Sequence, residues 1–303
     1  MQKKYNSLNE YLRRRFGCRV QKISVDAGLT CPNRDGTLGY GGCIYCNDRG
    51  SGTGAANKLT VKEQIVLGKQ RLSRRYKAKK FLVYFQAHTN TYAPIHTLKH
   101  LYEQALSVPD VVGLCIGTRP DCVSKDILNL LQSYARDYLI WVEYGLQSIH
   151  DKTLDIINRG HHSNAFIDAM QATQNRNIMT CVHLILGLPS ETREHIIKTA
   201  KTVAALPVDA VKIHLLYVVK NTPMEVLYRQ GQYQCLYPSQ YAEWVCDVLE
   251  RLPERTIIQR LTGEPHPEEL VAPSWALNKR ATLALIHQYL EQRNTWQGKR
   301  YCF

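Results

Sequence analysis

No apolar run in the sequence approaches the ~18 residues that span a bilayer, and the N-terminus lacks the apolar core of a secretory signal. Both absences point away from a membrane and predict a soluble, cytoplasmic protein. The Arg-rich amphipathic start could suit an organelle transit peptide, but the first chemistry-bearing motif begins at Cys31 and leaves little to cleave. Internal repeats, low-complexity tracts and long linkers are also missing. The 303 residues, 44% of them hydrophobic, therefore predict one large core or a core with an appended subdomain. Acidic residues are scarce where basic ones gather. Residues 1–22 carry Lys3, Lys4, Arg13, Arg14, Arg15, Arg19 and Lys22 against Glu10 alone, and residues 69–80 carry Lys69, Arg71, Arg74, Arg75, Lys77, Lys79 and Lys80 against none. Within a net charge of +13, such clusters form either an electrostatic footprint for a phosphate backbone or a solvated basic face.

The ten cysteines do not suggest a disulfide scaffold in a chain of this size. Cys18, Cys115, Cys122, Cys181, Cys235, Cys246 and Cys302 read as ordinary buried or half-buried thiols. The other three stand on one stretch, Cys31-Pro-Asn-Arg-Asp-Gly-Thr-Leu-Gly-Tyr-Gly-Gly-Cys43-Ile-Tyr-Cys46, directly after the β-branched run at residues 22–26. A CxxC pair with a third cysteine upstream can converge on one metal centre, and the four glycines let the backbone wrap closely around it. A structural zinc site usually has four protein ligands, yet no fourth cysteine or histidine lies nearby, the next histidine being His88. Three readings stay open on these residues: a metal cluster with an open position, a redox CxxC pair, and a zinc site completed by a distant histidine.

Ser7 with Glu10 and Thr60 with Glu63 have capping-box form, so helices are predicted at the N-terminus and over residues 60–76. Apolar strands are predicted at residues 22–27, 81–86, 111–117, 138–144, 180–186 and 210–216, with helical patterns between them. That alternation indicates a parallel sheet covered by helices, open or closed. After about residue 225 it gives way to helices near 241–252 and 279–293, a strand-like segment at 256–260 and a Pro-rich loop, a tail expected to cover the open side of the sheet. The domains are therefore read as 1–225, a core with a basic N-terminal helix, and 226–303, a C-terminal extension.

The C-x11-C-x2-C loop resembles the cluster-binding loop of radical S-adenosylmethionine (SAM) enzymes, in the widened form of the YhcC/YtqA-like branch, which is related to the Elp3 and HemN groups. The resemblance covers roughly residues 10–225. It implies an α/β fold, a partial (β/α)6 TIM-like barrel with its cofactors at the C-terminal strand ends and a C-terminal α/β extension. It also implies a [4Fe-4S] cluster held by Cys31, Cys43 and Cys46, with SAM on the fourth iron and Tyr45 near the adenine. The segment after Glu143, with Gln147 and then Arg159, is similar to the Elp3 and HemN pattern in which a glutamine and an arginine meet SAM. By that match Gln147 contacts the ribose or methionyl end and Arg159 the carboxylate. Glu143 shares the parity of Gly145 and Gln147, so it is a site carboxylate or the partner of a site arginine.

Gln86 falls where the superfamily carries a glycine-rich segment for the SAM amino group, but that segment is lacking here, and a polar strand end is the equal reading. Arg119 either contacts SAM or substrate or pairs with Asp121. His183 stands at a ribose-contact position or is a satisfied core histidine, Gly187 would let backbone approach the adenine, and His214 reads as structural. Reductive cleavage of SAM to a 5′-deoxyadenosyl radical needs no side-chain base, so no catalytic residue is assigned. The resemblance and the basic clusters together point to tRNA as the substrate, at the C5 side chain of the wobble uridine, with an external electron donor. A small-molecule substrate is the alternative within the family. A zinc or redox-cysteine nucleic-acid-binding protein is the alternative outside it.

Overall fold

A computed structural model describes residues 4–50 and 59–302. Helix α1 (Leu8–Phe16) begins at Ser7, whose side chain accepts from the Glu10 amide, and stops at Gly17 in the left-handed conformation. The chain then alternates: β1 (Val20–Val25), α2 (Val61–Tyr76), β2 (Lys80–Phe85), α3 (Ile95–Leu106), β3 (Val111–Thr118), α4 (Lys125–Tyr134) and β4 (Leu139–Gln147). It continues through α5 (Asp151–Ile156), α6 (Ser163–Thr173), β5 (Met179–Leu186), α7 (Arg193–Ala204) and β6 (Ala210–Leu215). The reciprocal Thr60–Glu63 capping box forms at the start of α2. After β6 come β7 (Val218–Val219), α8 (Pro223–Arg229), α9 (Pro238–Arg251), β8 (Ile257–Arg260), β9 (Leu270–Ala272) and α10 (Lys279–Gln292).

Strands β1 to β6 pair in sequence order, all parallel, and β8 adds a seventh parallel strand beside β6. The segment read from sequence as part of a tail is therefore built into the sheet. The chain just before α1 runs on along β8, with the Ile258 amide donating to the Asn6 carbonyl, so α1 bridges from the β8 edge to β1. Strands β7 and β9 form a separate antiparallel pair.

Side-chain parity divides the sheet into two faces. On β4, Ile140, Val142, Tyr144 and Leu146 pack outward against the helices, as continuous apolar strands under a helical layer must. Leu139 and Trp141 face inward and join Leu82, Cys115, Cys181, Ala210 and Ile257 in a second core. The apolar face of α1 closes this inner core from below: Leu12 is buried in it, and Tyr11 meets Trp141 edge to face at 6.0 Å. The N-terminal strand ends are thus plugged, and the interior opens toward the C-terminal ends.

Candidate active site

The cysteine loop follows β1 at the open end. Its first turn is closed by the Arg34 and Asp35 amides on the Cys31 carbonyl, at 2.8 and 3.2 Å, and its last by the Cys46 amide on the Cys43 carbonyl at 2.9 Å. The loop after α5 clamps it from the side. The Ile44 amide donates to the Ile157 carbonyl at 3.0 Å, Asn158 Nδ2 to the Gly42 carbonyl at 2.8 Å, and Asn33 Nδ2 to the Asn158 carbonyl at 2.6 Å. This clamp also brings Arg159 Nη1 to 3.6 Å from Cys43 Sγ, with Asn33 Nδ2 at 3.9 Å from the same sulfur. Two donors aimed at one buried sulfur suit a thiolate. All ten cysteines are free thiols. Burial pushes the Cys46 thiol up to about 12, Cys43 and Cys31 add to the shift, and Arg34 and Arg159 oppose it. Removing that proton at neutral pH takes a bound cation, which is how metal binding couples to thiol ionisation.

Beside the loop, Gly145, Gln147 and Arg159 form a cradle. Arg159 Nη2 donates to the Gly145 carbonyl at 2.7 Å, while its Nε and the Gln147 Oε1 are buried without a protein partner. Such atoms are costly unless a ligand satisfies them. A Cβ on Gly145 would lie 2.7 Å from both Arg159 Nη2 and Gln147 Nε2. Gly145→Ala should therefore displace both side chains and weaken SAM binding about tenfold or more, ~1.4 kcal/mol, with iron content unchanged. Equilibrium SAM binding to the reconstituted enzyme checks this, and unchanged affinity would remove the cradle from the SAM site.

The other sequence-selected residues are spread around this mouth. Arg119 is buried and fully engaged: it forks onto Asp121 at 2.9 and 2.7 Å and donates to the Arg159 and Gly160 carbonyls at 2.7 and 3.1 Å. Its observed contacts thus hold the clamp loop. Gln86 follows β2 directly, is half-buried and accepts from Ser24 Oγ at 3.4 Å. Tyr45 packs with Ile44 against a third apolar cluster that includes Leu188, Leu216 and Met224. Gly187 has φ +90°, and Tyr233 Oη donates to its carbonyl at 2.8 Å. The C-terminal segment also holds the cysteine loop: the Met224 amide donates to the Ile44 carbonyl at 2.9 Å, and Glu269 accepts from Asn47 and Arg49 at 3.1 and 2.8 Å.

Below the mouth lies a polar layer that sequence reasoning found only in part. Glu143 is fully buried; it pairs with Lys22 at 2.7 Å and with Lys212, and accepts from His183 Nε2 at 2.8 Å. Burial would raise its carboxyl, but Lys212, Lys22 and the His183 hydrogen bond overcome burial and hold it well below the ordinary carboxylate range. Burial first and Lys212 second depress His183 to about 4, so it is neutral at pH 7. Lys22 Nζ also donates to Gln259 Oε1 at 2.5 Å, and the Lys212 ammonium sits 4.3 Å from the Tyr84 ring centre. Glu143, Cys181 and His183 are the donor set among the described residues whose ligand atoms approach within 4.8 Å of one another. Two lysines already neutralise its carboxylate, which disfavours a further cation there. The signal for this layer was Lys212 in the middle of an apolar strand, a position where lysine is rarely found without a partner.

Residues 31–203 match the radical SAM superfamily, and residues 208–292 match the radical SAM C-terminal domain. The chain belongs to the radical SAM superfamily. It is 41% identical over 302 residues to the uncharacterized protein YtqA of Bacillus subtilis, covering 98% of this chain and 93% of that one. It is 36% identical over 293 residues to YhcC of Escherichia coli, covering 96% and 94%. The archaeal Elp3 of Methanocaldococcus infernus superposes with a TM-score of 0.70 at 18% identity, over 92% of this chain and 64% of that one, and supports the curled half-barrel. The cofactors of this radical SAM protein are a [4Fe-4S] cluster and SAM. The residues present fit both: three thiols on one loop, with Cys43 and Cys31 near enough to act on Cys46 and two donors on the Cys43 sulfur, for the cluster, and the unsatisfied Gln147 and Arg159 atoms for SAM. Membership displaces the zinc and redox-thiol readings of the loop.

Proposed function

We propose that this radical SAM enzyme modifies tRNA at the C5 side chain of the wobble uridine. The observation that carries the reading is the convergence of the two basic clusters. Arg19 stacks on Tyr76 at 5.1 Å, Lys80 lies 5.4 Å from the Phe16 ring centre, and the Lys79 amide donates to the Arg19 carbonyl at 3.2 Å. Arg13, Arg14 and Arg15 of α1 thereby join Arg71, Arg74, Arg75, Lys77 and Lys79 in one exposed patch. A phosphate backbone is the partner such a patch suits. The patch sits at the N-terminal ends of β1 and β2, with the mouth at the other ends of the same strands. A six-residue strand spans ~20 Å, less than the ~34 Å of one duplex turn, so one folded RNA can contact both. Kinship adds support: the tRNA uridine(34) acetyltransferase of Methanocaldococcus infernus is 26% identical over 186 residues, 60% of this chain and 34% of that protein.

When bound, the cluster supplies the electron, drawn from an external donor, that cleaves SAM and releases the hydrogen-abstracting 5′-deoxyadenosyl radical. The protein's own part is positional. Cys31, Cys43 and Cys46 hold the cluster, Arg159 and Gln147 orient SAM, Arg119 fixes the loop that carries Arg159, and the α1 plug keeps water from entering below. Digests of tRNA from a strain lacking the protein should miss one modified nucleoside, restored by the wild-type gene and not by Cys43→Ala. Nucleoside profiles identical in all three strains would exclude tRNA as the substrate.

A further inference from the structure

Beside the Glu143 layer, the inner face carries Gln259, Arg260 and His214, with Gln259 Nε2 and His214 Nε2 buried without partners. The cause is a break in register at β8. Ala210 pairs with Ile257 and Val211 with Ile258, but Lys212 then pairs with Arg260, leaving Gln259 as the extra residue. A bulge of this kind places two residues opposite one and re-aims their side chains, as bulges beside active sites do. Gln259 reaches inward, since its Oε1 accepts from Lys22, and this commits its Nε2 to an outgoing donor, which is buried with no partner. Arg260, opposite the inward-facing Lys212, lies close enough to influence Tyr84, His183 and His214, all on the inner face. Its guanidinium makes no hydrogen bond or ion pair among the described residues. His214, whose ring centre is 5.3 Å from that of His183, also has a buried Nε2 without a partner.

The charges do not balance. Lys22 and Lys212 share the carboxylate of Glu143, and Arg260 adds a third cation on the same inner face, beside Tyr84 and Tyr217; the acids that also reach Tyr217, Glu264 and Glu269, are already paired with Lys279 and Arg49. Burial, reinforced by Arg260, keeps His214 neutral, so neither histidine adds charge at pH 7. An inner face with more cations than free carboxylates, and with Gln259 Nε2 and His214 Nε2 buried without partners, favours an anion as its occupant. The pairing of Lys22 and Lys212 with Glu143 leaves Arg260 as the free fork, and a planar guanidinium matches a carboxylate in two parallel bonds.

We propose that Arg260, Gln259 and His214, seated on the Lys22–Glu143–Lys212 network, form the recognition wall for a carboxylate carried by the substrate. This rests on the uridine reading above for the rest of the substrate: an RNA base entering the mouth leaves its phosphates outside, so the anion that reaches the wall belongs to the substituent on the base.

The test is calorimetric binding to the reconstituted enzyme with SAM, using 5-carboxymethyluridine, its uncharged methyl ester, acetate and inorganic phosphate as probes. The acid should bind at least tenfold tighter than the ester. Arg260→Gln should abolish that preference and Arg260→Lys should retain part of it, with iron content and thermal midpoint confirming that both variants are folded and loaded. Equal binding of acid and ester to the wild type would overturn the proposal while leaving the tRNA reading to its own digest experiment. If neither nucleoside binds but acetate binds the wild type and not Arg260→Gln, the carboxylate wall stands and the uridine reading loses support. Binding of phosphate without acetate, or of no probe at all, would overturn the wall.

Discussion

Cys43→Ala is expected to reduce bound iron and sulfide to background after anaerobic reconstitution, whereas Cys235→Ala retains the wild-type content. Cys43 is 6% exposed, sits between the other two thiols in sequence, and receives the donors of Arg159 and Asn33. Its loss leaves two ligands where three are needed and strands the Arg159 guanidinium against an empty contact. Burial also holds the Cys46 proton, so that thiol offers little thiolate at neutral pH. Cys235 lies half-buried against the third apolar cluster, with its thiol pushed up to about 11 by burial, and has no place in the loop. Iron and sulfide quantitation, the brown absorbance and 5′-deoxyadenosine formation after dithionite reduction with SAM are the measurements. Equal iron in the two variants would contradict the assignment of the centre to this loop.

The parts of this site that were legible in the sequence are those set by local spacing. The cysteine triplet and the Gln147–Arg159 interval are fixed offsets along the chain, and the Thr60–Glu63 capping box marks α2 without reference to anything distant. Strands β1 to β6 were legible because a sheet buried on both faces demands continuous apolar runs. Membership of β8 in the sheet was not, because four residues carry no period and the partner strand lies some forty residues earlier. The polar layer was hidden for a related reason. Lys22, Glu143, Lys212 and Gln259 come from four strands, and only the curl of the sheet brings them together. Glu143 could be placed inward by parity, yet the parity of Arg260 depends on a bulge that no pattern announces. Arg119 shows the same limit: its pairing with Asp121 is local and foreseeable, while its bonds to the 159–160 carbonyls depend on the clamp loop folding back.

Glu143→Gln should destabilise the protein by about 3–5 kcal/mol at pH 7, the range for breaking a buried ion pair from one side. The amide keeps the shape and the His183 contact but leaves the half-buried Lys22 and the buried Lys212 without their counter-charge, which is the larger part of the cost. Removing one of those cations as well should recover much of it, so Glu143→Gln with Lys212→Met is expected to be more stable than Glu143→Gln alone. Such a non-additive cycle identifies the pair as the source. The pH dependence follows from the same charges. Lys22 on β1, Lys212 on β6 and His183 on β5 hold the folded carboxyl well below its ordinary value against the opposing burial, with Cys115, Cys181, Tyr84 and His214 as further titratable neighbours. A depressed carboxyl contributes stability that is fully present above its unfolded value, about 4.5, and is lost as pH falls through the folded one. The gap between wild type and Glu143→Gln should therefore be constant from pH 7 to about 5 and narrow below 4.5. Denaturant titrations across that range decide it: a variant within about 0.5 kcal/mol of wild type at pH 7 would mean that water already screens the two lysines, and the charge balance that assigns Arg260 to an anion would lose its basis.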